Sequence, residues 1–300
     1  MKNKKTIIFA IICIVLTLIL CVNYKVYIID NNFNFLFFAI SIFLCIFPIV
    51  STLEFNLSKK QNRIYNIISV FLSIIISYFI IELLNKNNIF NVNLKRMVLN
   101  FIIIIFVHLL IYTTTNKLNI ALILSNCLLF ILGIVNYTVI CFRGTPLVPW
   151  DILAFKTAMY VAPTYTFVVS YFLIVATLLL FNIICIVIKT NYKFNIIPRI
   201  VVILILVSSV LYFYKTDAIN VFELDTNLWS PPEEYSSNGF LASFVKQSKN
   251  LFNKKPDNYS IKTIEALIDD IEVSSKEPST SYPNIIVIMN ESFSDLAIHR

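Results

Sequence analysis

Between Pro283 and Asp295 a short apolar run, Ile285 to Met289, leads directly into Asn290, Glu291, Ser292, Phe293, Ser294 and Asp295. A continuous β-branched run bounded by a proline reads as a strand buried on both faces of a parallel sheet. Ligands in open α/β sheets bind beyond the carboxyl ends of strands, so Glu291 stands where a metal-binding or catalytic carboxylate is expected. Ser292 and Ser294 suit the N-cap of a following helix, which is their commoner role. A second pair, Arg143 and Asp151, brackets Gly144, Pro146, Pro149 and Trp150. A guanidinium matches phosphate geometry, so this pair suits holding a lipid headgroup or the domain that follows. Interfacial anchoring by Trp150 and Tyr160 is the competing reading of the same segment.

Other polar residues interrupt the apolar runs. Glu82 and His108 fall near the ends of two of them, where polar atoms can snorkel to an interface. Asn100, Asn126, Asn136 and Asn182 have the chemistry of interhelical glue. Glycine-interrupted paired half-helices are missing from the sequence, so nothing marks a transporter's midplane site. The six cysteines sit inside apolar runs or at their ends without CxxC spacing. Neither a disulfide framework nor a zinc site follows from that pattern. Cys21 closes the string LILC, but Leu20 is too large for a lipoprotein cleavage box.

What must position these residues is mostly membrane. Hydrophobic residues make up 58% of the chain and mean hydropathy is +0.80, far from the composition of soluble domains. Seven runs are long enough to cross a bilayer, approximately Ile7–Val22, Phe33–Leu53, Ile64–Leu84, Met97–Tyr112, Leu118–Phe142, Phe167–Ile188 and Phe194–Tyr214. The first follows a basic MKNKK start without a small-residue cleavage site and reads as a retained signal anchor. Up to Tyr214 the chain holds 16 of its 24 Lys/Arg but only 4 of its 17 Asp/Glu. The basic residues lie in short loops as topology signals, which excludes a nucleic-acid partner as the reason for the basic balance. With the N-terminus inside, ten Lys/Arg fall in inner segments and six in outer ones, the Lys86–Arg96 loop running against the bias. An odd number of spans then places everything after Lys215 outside.

Beyond Tyr214 the composition turns polar and proline-broken. Phe240, Leu241, Phe244, Val245, Leu251 and Phe252 recur at helical spacing, a pattern for a helix lying along the membrane surface. Ser260 looks like the N-cap of a second helix with the stripe Ile261, Ile264, Leu267, Ile268 and Ile271. The expected fold is therefore a polytopic α-helical membrane domain of about seven spans over residues 1–214. A linker with amphipathic helices over 215–282 follows, then the first strand of a truncated α/β domain over 283–300.

Four strings carry a resemblance: FRGTPLVPWDILAF from Phe142 to Phe155, YSSNGFLASF from Tyr235 to Phe244, KKPDNYS from Lys254 to Ser260, and PNIIVIMNESFSD from Pro283 to Asp295. In this order they resemble the lipoteichoic acid synthase family, membrane-anchored phosphoglycerol transferases of the alkaline phosphatase and sulfatase superfamily. The resemblance implies an enzyme of the cell membrane that uses Mn²⁺ or Mg²⁺ to transfer phosphoglycerol from phosphatidylglycerol during cell-envelope polymer synthesis. It implies that Glu291 is a metal ligand, with a threonine nucleophile and the remaining ligands beyond Arg300, so that the 300 residues alone are expected to be inert. Sulfate-ester hydrolysis and phosphoethanolamine transfer use related sites and remain open. A non-catalytic flippase, channel subunit or scaffold is the alternative from another class.

Overall fold

The structure is a computed structural model that describes residues 2–29, 31–51, 58–88, 91–161, 167–193, 195–216, 218–227, 229–251 and 259–269. Twelve helices lie in these stretches. Helices α1 (Lys2–Val22) and α2 (Phe35–Ile46) are joined through a two-residue antiparallel ladder, Ile28–Ile29 with Asn32–Phe33. The short α3 (Pro48–Ser51) follows, then α4 (Lys59–Leu84), α5 (Leu94–Thr115) and α6 (Leu118–Arg143). A 3₁₀ turn at Pro149–Ile152 and α7 (Phe155–Val161) precede α8 (Tyr171–Val187) and α9 (Ile196–Lys215). Helices α10 (Pro231–Asn238), α11 (Phe240–Ser248) and α12 (Ile261–Asp269) complete the set.

Four of these, α4, α5, α6 and α9, are long and apolar enough to cross a membrane, and residues 7–22, 35–46 and 171–187 form shorter apolar helices. Every expected apolar run is thus largely helical, but the second is broken. Pro48 contributes no N–H and disfavours continuation through Phe47, so α2 stops at Ile46 and a separate turn begins. The long helices have local start and stop signals. Ser58 and Gln61 form a reciprocal capping box on α4, and Asn93 caps α5. Asn116 and Gly144 end α5 and α6 in the left-handed conformation.

Small side chains let the helices approach. Ser69, Ser73 and Ser77 repeat every four residues along α4 and are fully buried, the small-residue seam that suits helix packing in lipid. Ser77 donates to Asn126 Oδ1 at 2.9 Å, and Asn126 Nδ2 donates to Ser73 Oγ at 2.5 Å. His108 Nε2 lies 3.0 Å from the same Ser73 hydroxyl and Nδ1 lies 2.9 Å from the Ile104 carbonyl oxygen. His108 therefore does not snorkel: it is buried between helices, its two ring nitrogens held by α4 and by its own helix.

The contacts sort the helix ends into two groups. At one end, here the basic end, α4 begins, α5 ends and α6 begins. Tyr65 donates to the Ile186 carbonyl at 2.6 Å, and Arg199 donates to Thr113 and Thr114 carbonyls at 2.6 and 3.2 Å. At the other, the capped end, Tyr137 donates to Val168 O and Ser170 Oγ. Residues 1–252 form one compact unit and 253–300 another. In the second, Ser260 caps α12 through the Thr263 amide at 3.2 Å, as its sequence implied. Glu291 and the expected strand at Ile285–Met289 lie outside the described residues.

Candidate functional site: a clamp at the capped end

The segment after α9 does not lie free along a surface. It folds back over the capped end, and α11 inserts its first turn between α4 and α5. The first donors of a helix have no partner inside it, and Gly239, the residue before α11, has no side chain to cap them. Two residues from other helices do so instead. Glu82 of α4, with 0% exposure, accepts from the Phe240 amide at 2.9 Å through Oε1. Asn100 of α5, also fully buried, accepts from the Ala242 amide at 3.0 Å. A carboxylate at a helix N-terminus is favoured by the helix dipole as well as by the hydrogen bond.

Each capping side chain is itself held. Glu82 Oε2 accepts from Asn87 Nδ2 at 2.8 Å; the same amide nitrogen reaches the Ser236 carbonyl at 3.0 Å, and Asn87 Oδ1 accepts from Ser236 Oγ at 2.9 Å. Asn100 Nδ2 donates to Asn238 O at 2.8 Å and Arg96 O at 2.9 Å. Close passage of the chain over Asn100 requires glycine. Gly239 has φ +84°, and a Cβ there would lie 2.6 Å from Asn100 Nδ2. Around this polar centre Tyr235, Phe240 and Leu241 pack into one apolar cluster with Tyr78, Ile81 and Ile104.

The loop after α6 forms the third wall, and Leu147 and Val148 join the same cluster. Asn136 donates to Asn85 Oδ1 at 3.0 Å and accepts from the Leu147 amide at 2.8 Å, tying loop to helices. Arg143 and Asp151 are brought together: two hydrogen bonds of 3.0 and 2.6 Å join them, and Arg143 also donates to Pro146 O. Burial pushes the Asp151 carboxyl up, but Arg143 and the Val148 amide outweigh it and hold the group below its ordinary range. The pair therefore folds the loop upon itself.

Acidic residues of the returning segment neutralise the start of α5. Arg96 makes a bidentate pair with Asp225, at 2.5 and 2.8 Å, and Lys95 pairs with Glu223. The Arg96 hydrogen bonds hold the Asp225 carboxyl below its usual range. Lys246 reaches Glu234 at 3.5 Å and the Asp225 carbonyl at 2.7 Å. A small cavity of about 210 Å³ remains between Asn85, Lys86, Gly144, Pro146, Tyr235 and Ser236.

Of the residues singled out by sequence, Arg143 and Asp151 meet here, whereas Glu291 lies outside the described residues. Sequence reasoning placed Glu82 at an interface by snorkelling. The structure buries it under α11 because the unsatisfied amides of that helix give its carboxylate partners. Asn136 acts as glue between α6, the end of α4 and the loop after α6, whereas Asn100 joins α5 to the returning chain. Among the described residues no three His, Cys, Asp or Glu side chains cluster to hold a metal ion. Glu291, the expected ligand of Mn²⁺ or Mg²⁺, is not one of those residues. No family model, curated protein or solved structure matches the chain.

Proposed function

We propose that this chain is the membrane platform of a metal-dependent phosphoglycerol transferase acting on phosphatidylglycerol in cell-envelope polymer synthesis. It crosses the cell membrane about seven times with the basic end cytoplasmic and residues from Lys215 onward outside. One observation carries the reading. Two of the strings that resemble the synthase family, Phe142–Phe155 and Tyr235–Phe244, come from distant parts of the chain, and they pack against each other at the capped end. A platform that fixes the departing chain at the membrane surface is what an enzyme needs whose substrate headgroup lies in that surface. Precise placement converts a diffusional encounter into an oriented one.

The platform supplies position, and the chemistry belongs to the domain that begins near Glu291. The test uses the full gene product in nanodiscs containing phosphatidylglycerol and Mn²⁺, with diacylglycerol release as the readout. Release by wild type and its loss in Glu291→Gln supports the reading. Release of sulfate or phosphoethanolamine from the matching substrates, without diacylglycerol from phosphatidylglycerol, moves the chain to a sister activity. Turnover that is unchanged in Glu291→Gln removes that residue from the site.

A further inference from the structure

A second cavity lies at the opposite, basic end, and its chemistry differs from that of the clamp. It measures about 740 Å³, within the size range of small-molecule sites. Ile67 and Val70 of α4, Leu109 of α5 and Leu118 and Leu122 of α6 form apolar walls, and Arg63 stands among the lining residues one turn before Ile67. Two of the other polar lining groups, Asn66 and His108, have internal duties. Asn66 exchanges hydrogen bonds with the Asn191 backbone at 3.2 and 3.3 Å, and His108 is held by Ser73 and Ile104. Arg63 makes no hydrogen bond or ion pair with any described residue.

The surroundings fix the sign of the occupant. Lys59, Lys60, Lys117, Lys189, Lys193 and Arg199 sit at or beside the same helix ends, whereas every described Asp and Glu of residues 1–252 belongs to the capped end. We propose that this groove binds one anionic phospholipid, an acyl chain lying along the α4 and α5 walls and the phosphate on Arg63. A neutral lipid would leave the guanidinium without an anion, and a free phosphate would make no use of the apolar walls. Basic pockets between membrane helices are suited to anionic headgroups for this reason. The site lies away from the clamp and is independent of the phosphoglycerol-transfer reading.

The experiment measures lipid retention by native mass spectrometry and the shift in melting temperature of the protein released from nanodiscs. Phosphatidylglycerol, phosphatidylcholine and inorganic phosphate are the three probes. Wild type should retain phosphatidylglycerol in preference to phosphatidylcholine and should not respond to phosphate. Arg63→Ala should weaken phosphatidylglycerol about fivefold, the value of one basic residue at an anionic lipid surface, while Arg63→Lys keeps most of the binding. Val70→Trp should reduce retention by filling the groove; if that variant folds poorly, Ile67→Trp at the exposed edge replaces it. Equal retention of both lipids, a phosphate response matching the lipid's, or unchanged phosphatidylglycerol binding in Arg63→Ala overturns the proposal.

Discussion

Replacing Gly239 by alanine tests the clamp at its narrowest point. The backbone there, φ +84° and ψ 154°, lies in a region essentially reserved for glycine, and holding another residue in it costs about 1–3 kcal/mol. The new Cβ would sit 2.6 Å from Asn100 Nδ2 and 2.9 Å from Oδ1. Asn100 cannot step aside without releasing Asn238 O and the Ala242 amide, buried partners whose loss costs about 1–3 kcal/mol. The two costs overlap because one shift relieves both, so about 2–5 kcal/mol is expected. That opens the docked segment about thirtyfold to several thousandfold more often. Hydrogen exchange of the peptide covering Phe240–Ser243 reads this directly. Helices α4 to α6 should keep their protection, because their own packing is untouched. Gly144→Ala is the internal control: its φ is +73° but a Cβ meets nothing within 4 Å, so only about 1 kcal/mol is lost and residues 240–243 stay protected. Protection of residues 240–243 within a factor of three of wild type in Gly239→Ala would refute the reasoning.

Three further outcomes follow from the same contacts. Glu82→Ala strips acceptors from Phe240 and Asn87 and should cost about 2–4 kcal/mol, read as faster tryptic cleavage after Lys246; Glu82→Gln should cost less, since its carbonyl can still serve Phe240. The Arg143–Asp151 contact should respond to acid in a defined window. Because the folded Asp151 carboxyl is depressed, its contribution is fully present above the ordinary Asp value near about 4 and is lost as pH falls through the lower folded value. Trp150 fluorescence in a Trp229→Phe protein should therefore hold steady from neutrality to about that pH and change below it, and Asp151→Asn should show the acid signal at neutral pH; a transition between pH 5 and 7 contradicts this. For orientation, a single cysteine at Ser274 in a cysteine-free chain should react with a membrane-impermeant reagent in intact cells. Reaction only after lysis reverses the assignment.

The apolar runs made the helices legible because burial in lipid demands only length and hydrophobicity. The capping box of Ser58 with Gln61 starts α4 ahead of the apolar run that begins at Ile64, whereas the helix start at Ser260 was readable because its signal is local. Glu82 was not. Its partner, the Phe240 amide, lies far along the chain, and no periodicity announces which buried carboxylate will cap which distant helix. The partners of the charges in the 86–96 loop were hidden for a related reason. Read singly, Lys95 and Arg96 run against the charge bias, but the fold delivers Glu223 and Asp225 to them. Gly239, one of three glycines, was the one hint that the returning chain must pass something closely, and sequence alone could not say that the obstacle was Asn100.

The two ends of the bundle solve the problem of charge near lipid in opposite ways. At the capped end Lys95, Arg96, Arg143 and Lys246 each find a carboxylate within the protein, which lowers the positive potential of those four cations. At the basic end no described acidic residue pairs with Arg63. Exposed ion pairs add little stability individually. Their larger effect is on where the residual field points, since polybasic surfaces draw anionic lipid roughly in proportion to their unpaired cations. The returning segment thus does two things at once. It closes the polar mouth of α4, α5 and α6, and through Glu223 and Asp225 it pairs the cations Lys95 and Arg96 at the start of α5.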